Sequence, residues 1–251
     1  MANVELDTSE LEAPVTRPQR VIILAYREWA LRAARMISGA ESRANEAWSF
    51  EIITTEREAE NVVGFAPAVI IALGWSWTIR NSLRDRCTGP TLIAHPSPLP
   101  RYRGGSPIQA QIIAGEETSA LTLFEATDVM DQGPIFWQQA FSLKGTLPCI
   151  LDRISDLSVD AVRAALLAIR QQTYTTMPQP KGDWGWNTRR TPESSKIGDV
   201  DMTGRELVNL LRVLMLPYPP AYLETSDHVR IPIKIEQNMD AAMKAYAGEQ
   251  L

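Results

Sequence analysis

The chain has 251 residues, 45% of them hydrophobic, which is enough to bury a sizeable α/β domain with a smaller appendage and too much for disorder along its length. Its formal net charge is −5, so it lacks the basic footprint that tracks a phosphate backbone, and nucleic acid is not the expected partner. Two distant cysteines, Cys87 and Cys149, give no support to a metal site or a disulfide framework and are expected to be buried, reduced thiols.

Residues 1–19 are acidic and polar, without the basic start and apolar centre of a secretory signal, and no apolar run approaches membrane-spanning length. A flexible tail on a cytoplasmic protein with no membrane partner is the expectation. Residues 20–26 form a continuous apolar run suited to a strand buried on both faces. A helix over 27–39 follows, with Trp29, Ala30, Ala33, Ala34 and Ile37 on one stripe and Gly39 placed to end it. Strands are predicted over 49–55, 68–75 and 90–95, with short helical stretches at 56–66 and 78–86 between them. This alternation predicts an α/β fold, a Rossmann-like, mostly parallel sheet with helices on both faces.

Further along, 106–117 reads as a helix with Ile108, Ile112 and Ile113 inward, and 119–126 and 135–143 as strands flanking an acidic turn. A long amphipathic helix is expected over 149–172, with Ile150, Ile154, Leu157, Ala161 and Ala165 toward the sheet. Residues 177–195 are rich in proline, glycine and tryptophan, as in a linker or an ordered excursion. A helix over 204–215, a turn over 216–222 and a strand over 229–237 complete a small C-terminal α+β unit. The organisation is therefore a tail (1–19), a catalytic domain (20–176), and a linker with a small subdomain (177–251).

The densest chemistry lies in His-Pro-Ser-Pro-Leu-Pro-Arg-Tyr-Arg-Gly-Gly-Ser-Pro-Ile-Gln, His95 to Gln109. Pro96, Pro98 and Pro100 fix torsions and remove N–H donors, so the loop is stiff. Gly104 and Gly105 permit a sharp turn and a close approach to a ligand, and Arg101, Tyr102 and Arg103 are offered to a substrate. A lone histidine at a strand end is more often structural than catalytic. Here it sits where ligands collect, beyond the carboxyl ends of parallel strands, together with Gly-Trp-Ser-Trp at 74–77.

This run, followed by Asp-Gln-Gly-Pro-Ile from Asp131, resembles the signature of the 10-formyltetrahydrofolate-dependent formyltransferases, a family that includes methionyl-tRNA, glycinamide ribonucleotide and sugar N-formyltransferases. Ala-Leu-Gly-Trp-Ser-Trp-Thr-Ile, Thr-Arg-Arg-Thr-Pro-Glu and Leu-Pro-Tyr-Pro-Pro-Ala-Tyr extend the resemblance from about Arg20 to Glu236. The resemblance implies 10-formyltetrahydrofolate as co-substrate, with His95 and Asp131 catalytic and no metal. It places the folate against Trp75, Ser76, Trp77, Ile79, Leu99, Thr127, Asp128, Val129 and Asp131. It places the acceptor against Ser97, Tyr102, Arg103, Gly104 and Gly105. The family asparagine two residues before the histidine is Ile93 here, which has no polar atom. Loss of one oxyanion donor costs on the order of a hundredfold to a thousandfold, unless Ser97 or a backbone N–H of the loop substitutes.

The short C-terminal unit and the acidic charge depart from a tRNA-binding enzyme. The Arg189 to Glu193 stretch looks more like the sugar N-formyltransferases, so the implied acceptor is a small-molecule amine, a nucleotide-linked amino sugar. Alternatives are a hydroxyornithine-type amine, a folate-binding protein without transfer, and a formyl-folate hydrolase. Arg189, Arg190 and Thr191 are candidates to close over the substrate, against the reading of a solvated face. His228 is expected in an exposed loop. The C-terminal unit either shapes the acceptor site or pairs two subunits in a homodimer.

Overall fold

The computed structural model describes residues 18–44, 47–62, 64, 66–198 and 202–233, with side chains from 40 to 44 left aside. Nearly all of the expected N-terminal tail, and the strand residues beyond 233, lie outside the described residues.

Strands β1 (Gln19–Ala25), β2 (Trp48–Ile53), β3 (Val69–Leu73) and β4 (Thr91–His95) run parallel in the order β2-β1-β3-β4. Strands β5 (Thr118–Glu125) and β6 (Ile135–Ser142) extend the sheet antiparallel beyond β4. Val21, Ile23 and Ala25 of β1 face one apolar cluster and Ile22 and Leu24 face the other. A strand covered on both sides needs an unbroken apolar run, as its sequence has. The chain leaves β1 toward β2 and returns to β3 on the other side, so the sheet's switch point lies between the carboxyl ends of β1 and β3.

One face is covered by α1 (Glu28–Ala44) and α5 (Leu147–Arg170), which contribute Ala30, Ala33, Ile37, Ile150, Ile154 and Ala165 to the larger cluster. The short helices α2 (Glu56–Glu60) and α3 (Asn81–Arg84) lie between successive parallel strands, and Leu83 of α3 joins the cluster on the opposite face. Helix α4 (Pro107–Ile113) follows the proline-rich loop. Helix α1 does not stop at Gly39: a glycine ends a helix by turning left-handed, and this one stays in the helix with open space around its Cα.

Residues 177–195 are an ordered excursion. Met177 and Ile135 exchange backbone hydrogen bonds at 2.7 and 2.9 Å, and Asn187 does the same with the catalytic loop, donating to Arg103 O (2.9 Å) and accepting from Gly105 N (2.8 Å). Helix α6 (Gly204–Val213) packs against the domain: Val213 lies in the larger cluster, and buried Arg212 donates to Leu143 O at 2.7 Å. The predicted turn over 216–222 gives way at Tyr222 to β7 (Tyr222–Glu224), which pairs with β8 (Arg230–Pro232). Cys87 is half-buried, but Cys149 is exposed, contrary to expectation, because it lies on the solvent side of the first turn of α5. His228 is exposed after β7, as its sequence context suggests. Among the described residues no helix is long and apolar enough to cross a membrane.

Candidate active site

Strand β4 alternates Leu92 and Ala94 toward the larger cluster with Ile93 and His95 on the other face, so the histidine emerges at the carboxyl end of a buried strand. The following loop is held by its carbonyls, since three prolines have removed N–H groups. Gln111 Nε2 donates to Pro96 O (2.9 Å), Thr122 Oγ1 to Ser97 O (2.7 Å) and Gln138 Nε2 to Leu99 O (3.0 Å). Gln111 and Thr122 are fully buried, and their only sequence signal is a polar residue on the inner face of an otherwise apolar element.

The acidic turn leaves β5 beside Thr91, where Ala126 N donates to Thr91 O at 2.7 Å, yet Asp131 reaches His95 four residues further along β4. The turn therefore folds back over the face that carries Ile93. Asp131 has a left-handed backbone (φ 52°), which aspartate tolerates better than most residues. Its carbonyl and that of Gly133 accept from Gln179 Nε2 at 2.9 and 2.8 Å, and Arg103 donates to Gln179 Oε1. Sequence reasoning missed Gln179, which lies in the excursion and ties both motifs together.

His95 and Asp131 are 7% and 9% exposed, with Nδ1 and Oδ2 separated by 3.8 Å. Oδ2 also accepts from Gly104 N at 2.8 Å. His95 Nε2 lies 3.0 Å from Tyr102 O, and a carbonyl can only accept, so Nε2 carries a proton. In the neutral ring Nδ1 is then the free base, and once protonated it faces the Asp131 carboxylate. This pair can take up a proton and hold the resulting charge in a largely buried setting.

Other expected contacts are revised. Ser97 is fully buried and its hydroxyl donates to Arg101 O at 2.9 Å, so it is not a free donor. The N–H groups of Ser97, Leu99, Arg101, Gly104 and Gly105 all have acceptors within the protein. In this structure neither the Ser97 hydroxyl nor these amides is left without an acceptor at the position of the missing asparagine. Arg101 and Tyr102 are turned away from a substrate, both toward Glu116; the phenol bond is 2.8 Å. Arg103 is held by Gln179. The glycine pair admits the protein's own chain: a Cβ on Gly104 would lie 2.2 Å from Asn187 O, and one on Gly105 would lie 2.5 Å from Arg189 Cα.

Among the residues expected to hold the folate, Gly74 turns left-handed after β3 under Trp29, and Trp75, Trp77 and Tyr26 form an aromatic cluster with centroids 4.5 to 6.3 Å apart. Ser76 Oγ pairs with Tyr26 OH at 2.7 Å, and the indole N–H of Trp75 is buried without a partner. Ile79 and Trp75 line a void of about 10 Å³, and Leu99 is buried beneath the proline loop. Thr127 bonds within its own turn, to Val129 O at 2.9 Å; Asp128 pairs with Arg84; and Val129 is exposed. A cavity of about 460 Å³ opens instead at the switch point, beside Tyr26, Arg27, Ser106, Arg189, Arg190 and Tyr218.

The architecture is a six-stranded α/β sheet with a buried histidine and aspartate beyond its parallel strands. The formyl transferase family model matches residues 27–158, more than half of the chain, and the chain belongs to that family. Methionyl-tRNA formyltransferase of Halorhodospira halophila is 27% identical over 223 residues, 86% of this chain and 69% of that protein. The chain spans about two thirds of the length of this and two similar relatives. Three solved structures share the fold. Methionyl-tRNA formyltransferase from Clostridium thermocellum superposes with a TM-score of 0.76 at 24% identity, covering 88% of this chain and 94% of that one. HypX from Aquifex aeolicus, solved in complex with tetrahydrofolic acid, gives 0.69 at 21%, covering 86% and 37%. A sugar N-formyltransferase from a Shewanella species gives 0.69 at 15%, covering 88% and 98%.

Proposed function

We propose that the chain is an N-formyltransferase that moves the formyl group of 10-formyltetrahydrofolate to the amine of a small acceptor, a nucleotide-linked amino sugar. The observation that carries the chemistry is the His95–Asp131 pair, with Nε2 committed to Tyr102 O and Nδ1 directed toward the carboxylate. The tetrahydrofolate-bound neighbour supports the co-substrate, and the orphan Trp75 N–H in the turn after β3 is a donor suited to a heterocycle edge.

Bound folate supplies the formyl carbonyl and the departing N10. His95 Nδ1 takes the proton from the attacking amine, and the imidazolium is held by the carboxylate of Asp131. The same proton is then delivered to the leaving nitrogen as its bond to the formyl carbon breaks. With Ser97 and the N–H groups of Leu99, Arg101, Gly104 and Gly105 already bonded, and the His95 nitrogens directed to Tyr102 O and Asp131, the imidazolium acts on the oxyanion through its positive charge and not through a hydrogen bond. Ile93, half-buried against the smaller apolar cluster on the same face as His95, adds no donor. Ile93→Asn is therefore expected to raise kcat by about tenfold, a part of what a native oxyanion donor is worth, while lowering stability by about 1–3 kcal/mol through burial of an amide. A lower kcat in a folded variant would show that the apolar group is required.

Support for a small acceptor comes from the net charge of −5, from the Arg189 to Glu193 stretch and from the sugar N-formyltransferase neighbour. The methionyl-tRNA formyltransferase relatives favour aminoacyl-tRNA as the second reading. Tetrahydrofolate release measured with 10-formyltetrahydrofolate and a panel of nucleotide-linked amino sugars, hydroxyornithine and Met-tRNA decides between them. Turnover with an amino sugar and none with Met-tRNA is expected. The reverse pattern would overturn the acceptor assignment, and formate release without any amine would make the protein a hydrolase.

A further inference from the structure

The largest chemical asymmetry outside the His95–Asp131 pair is the cavity at the switch point. Its wall carries three guanidinium groups, Arg27, Arg189 and Arg190, and no carboxylate. None of the three forms an ion pair among the described residues. Elsewhere Arg20, Arg32, Arg35, Arg80, Arg84 and Arg101 each face an aspartate or glutamate, and Arg86, Arg103, Arg153 and Arg212 donate to neutral oxygens of the protein. In a chain with five more acidic than basic residues, leaving three arginines without counter-ions around one hollow is unfavourable unless an anion completes it.

Each arginine is placed by the fold. Arg27 follows β1, and its guanidinium lies between the rings of Tyr26 and Tyr218, 5.0 and 5.4 Å from their centroids, with Nη2 3.4 Å from Ser76 Oγ. Contact with both rings positions the group beside the cavity. Arg189 sits over Gly105, where a side chain would collide with it. Arg190 is anchored through its backbone N–H to Ser106 Oγ at 3.1 Å and through Nη2 to Ser194 O. Its Nε–H is buried with no acceptor in the protein, and burial pulls its pKa below the ordinary arginine value. Buried donors of charged groups are costly to leave unmet, so this N–H is a place where a ligand oxygen belongs.

We propose that this cavity binds a phosphoryl group of the acceptor, a phosphate monoester or diphosphate, through Arg27, Arg189 and Arg190. Planar guanidinium forks match the oxygens of phosphate, and three positive charges suit a di- or trianion better than a single carboxylate. The position suits an acceptor. Ser106 is two residues beyond Gly104, whose N–H holds Asp131, and Tyr26 bonds Ser76 in the turn after β3. A phosphoryl group held here would leave the amine end of the molecule directed along the proline loop toward His95. A hollow of about 460 Å³ accommodates a phosphorylated small molecule but not a run of polynucleotide. This proposal rests on the formyltransferase reading for its meaning, but not for its test.

The test is isothermal titration of the full chain with inorganic pyrophosphate, with inorganic phosphate, and separately with a stable reduced formyl-folate. Pyrophosphate is expected to bind at one site with Kd below about 1 mM. Arg189→Ala and Arg27→Ala are each expected to weaken it at least tenfold, while Arg35→Ala, a surface control, leaves it unchanged. Arg190→Lys keeps the charge but removes the Nε donor and is expected to weaken binding if Arg190→Ala does not fold. Formyl-folate affinity should be the same in the Arg189 and Arg190 variants; Arg27 touches Ser76 and is left out of that comparison. Equal pyrophosphate binding by wild type and Arg189→Ala, or none by either, overturns the proposal. A site that accepts only Met-tRNA overturns it in favour of RNA. Loss of formyl-folate binding with intact pyrophosphate binding would instead defeat the formyltransferase reading and leave the anion site standing.

Discussion

Asp131→Asn is expected to lower kcat by on the order of a hundredfold to ten-thousandfold with little change in melting temperature. The amide is nearly isosteric with the carboxylate and its oxygen can still accept from Gly104 N, so the turn keeps its anchor. What disappears is the negative charge 3.8 Å from His95 Nδ1, the charge that in the proposed mechanism faces the ring when the attacking amine releases its proton. The loss should therefore appear in the chemical step, as a slow single turnover with unaltered formyl-folate affinity. His95→Ala removes the base itself and should be at least as severe. Neither variant should add much to the other, because the two side chains act as a unit. Wild-type turnover by Asp131→Asn would remove this pair from the mechanism.

The second large effect is expected at a residue with no side chain. Gly133 closes the acidic turn against the strand it left: a Cβ there would stand 1.7 Å from Glu125 O and 2.8 Å from Glu125 C, which are backbone atoms unable to swing aside. Gly133→Ala must push the turn off β5, disturbing the bond from Glu125 N to Pro134 O and displacing Asp131 two residues earlier. A stability loss of about 1–3 kcal/mol or more is expected, together with loss of transfer activity. Gly39→Ala is the matched comparison. In α1 a Cβ would meet nothing within 4 Å, and alanine is the better helix former, so the same substitution should stabilise by about 0.5–1 kcal/mol. Denaturant unfolding of the two variants measures both signs, and equal stability of Gly133→Ala and wild type would contradict the packing described.

Much of the architecture was legible because it depends on local patterns. The apolar runs around Val21 and Val69 could only be strands buried on both faces, and the stripe from Ile150 to Ala165 could only be a helix against a sheet. The pair His95 and Asp131 was legible through the motifs that carry them. What escaped depends on partners distant in sequence. Tyr102 and Arg103 look like substrate ligands until Glu116 and Gln179 are seen to occupy them. Gly39 looks like a helix stop because composition does not say whether its backbone turns left-handed. For the tract from 177 to 195 composition leaves a linker and an ordered excursion open, because proline and glycine mark irregular backbone, which is a statement about shape and not about order. The arginines it carries were visible, but their convergence with Arg27 across the switch point was not.

The backbone bonds that join Asn187 to Arg103 and Gly105 have a consequence for how substrates come and go. The proline-rich loop is tied to the 177–195 excursion by an isolated parallel bridge, Gly104 to Asn187. Swinging it outward would break both of these bonds and the one from Gly104 N to Asp131 at the same time. In the proposed transfer reaction the proline loop would therefore stay fixed while substrates come and go.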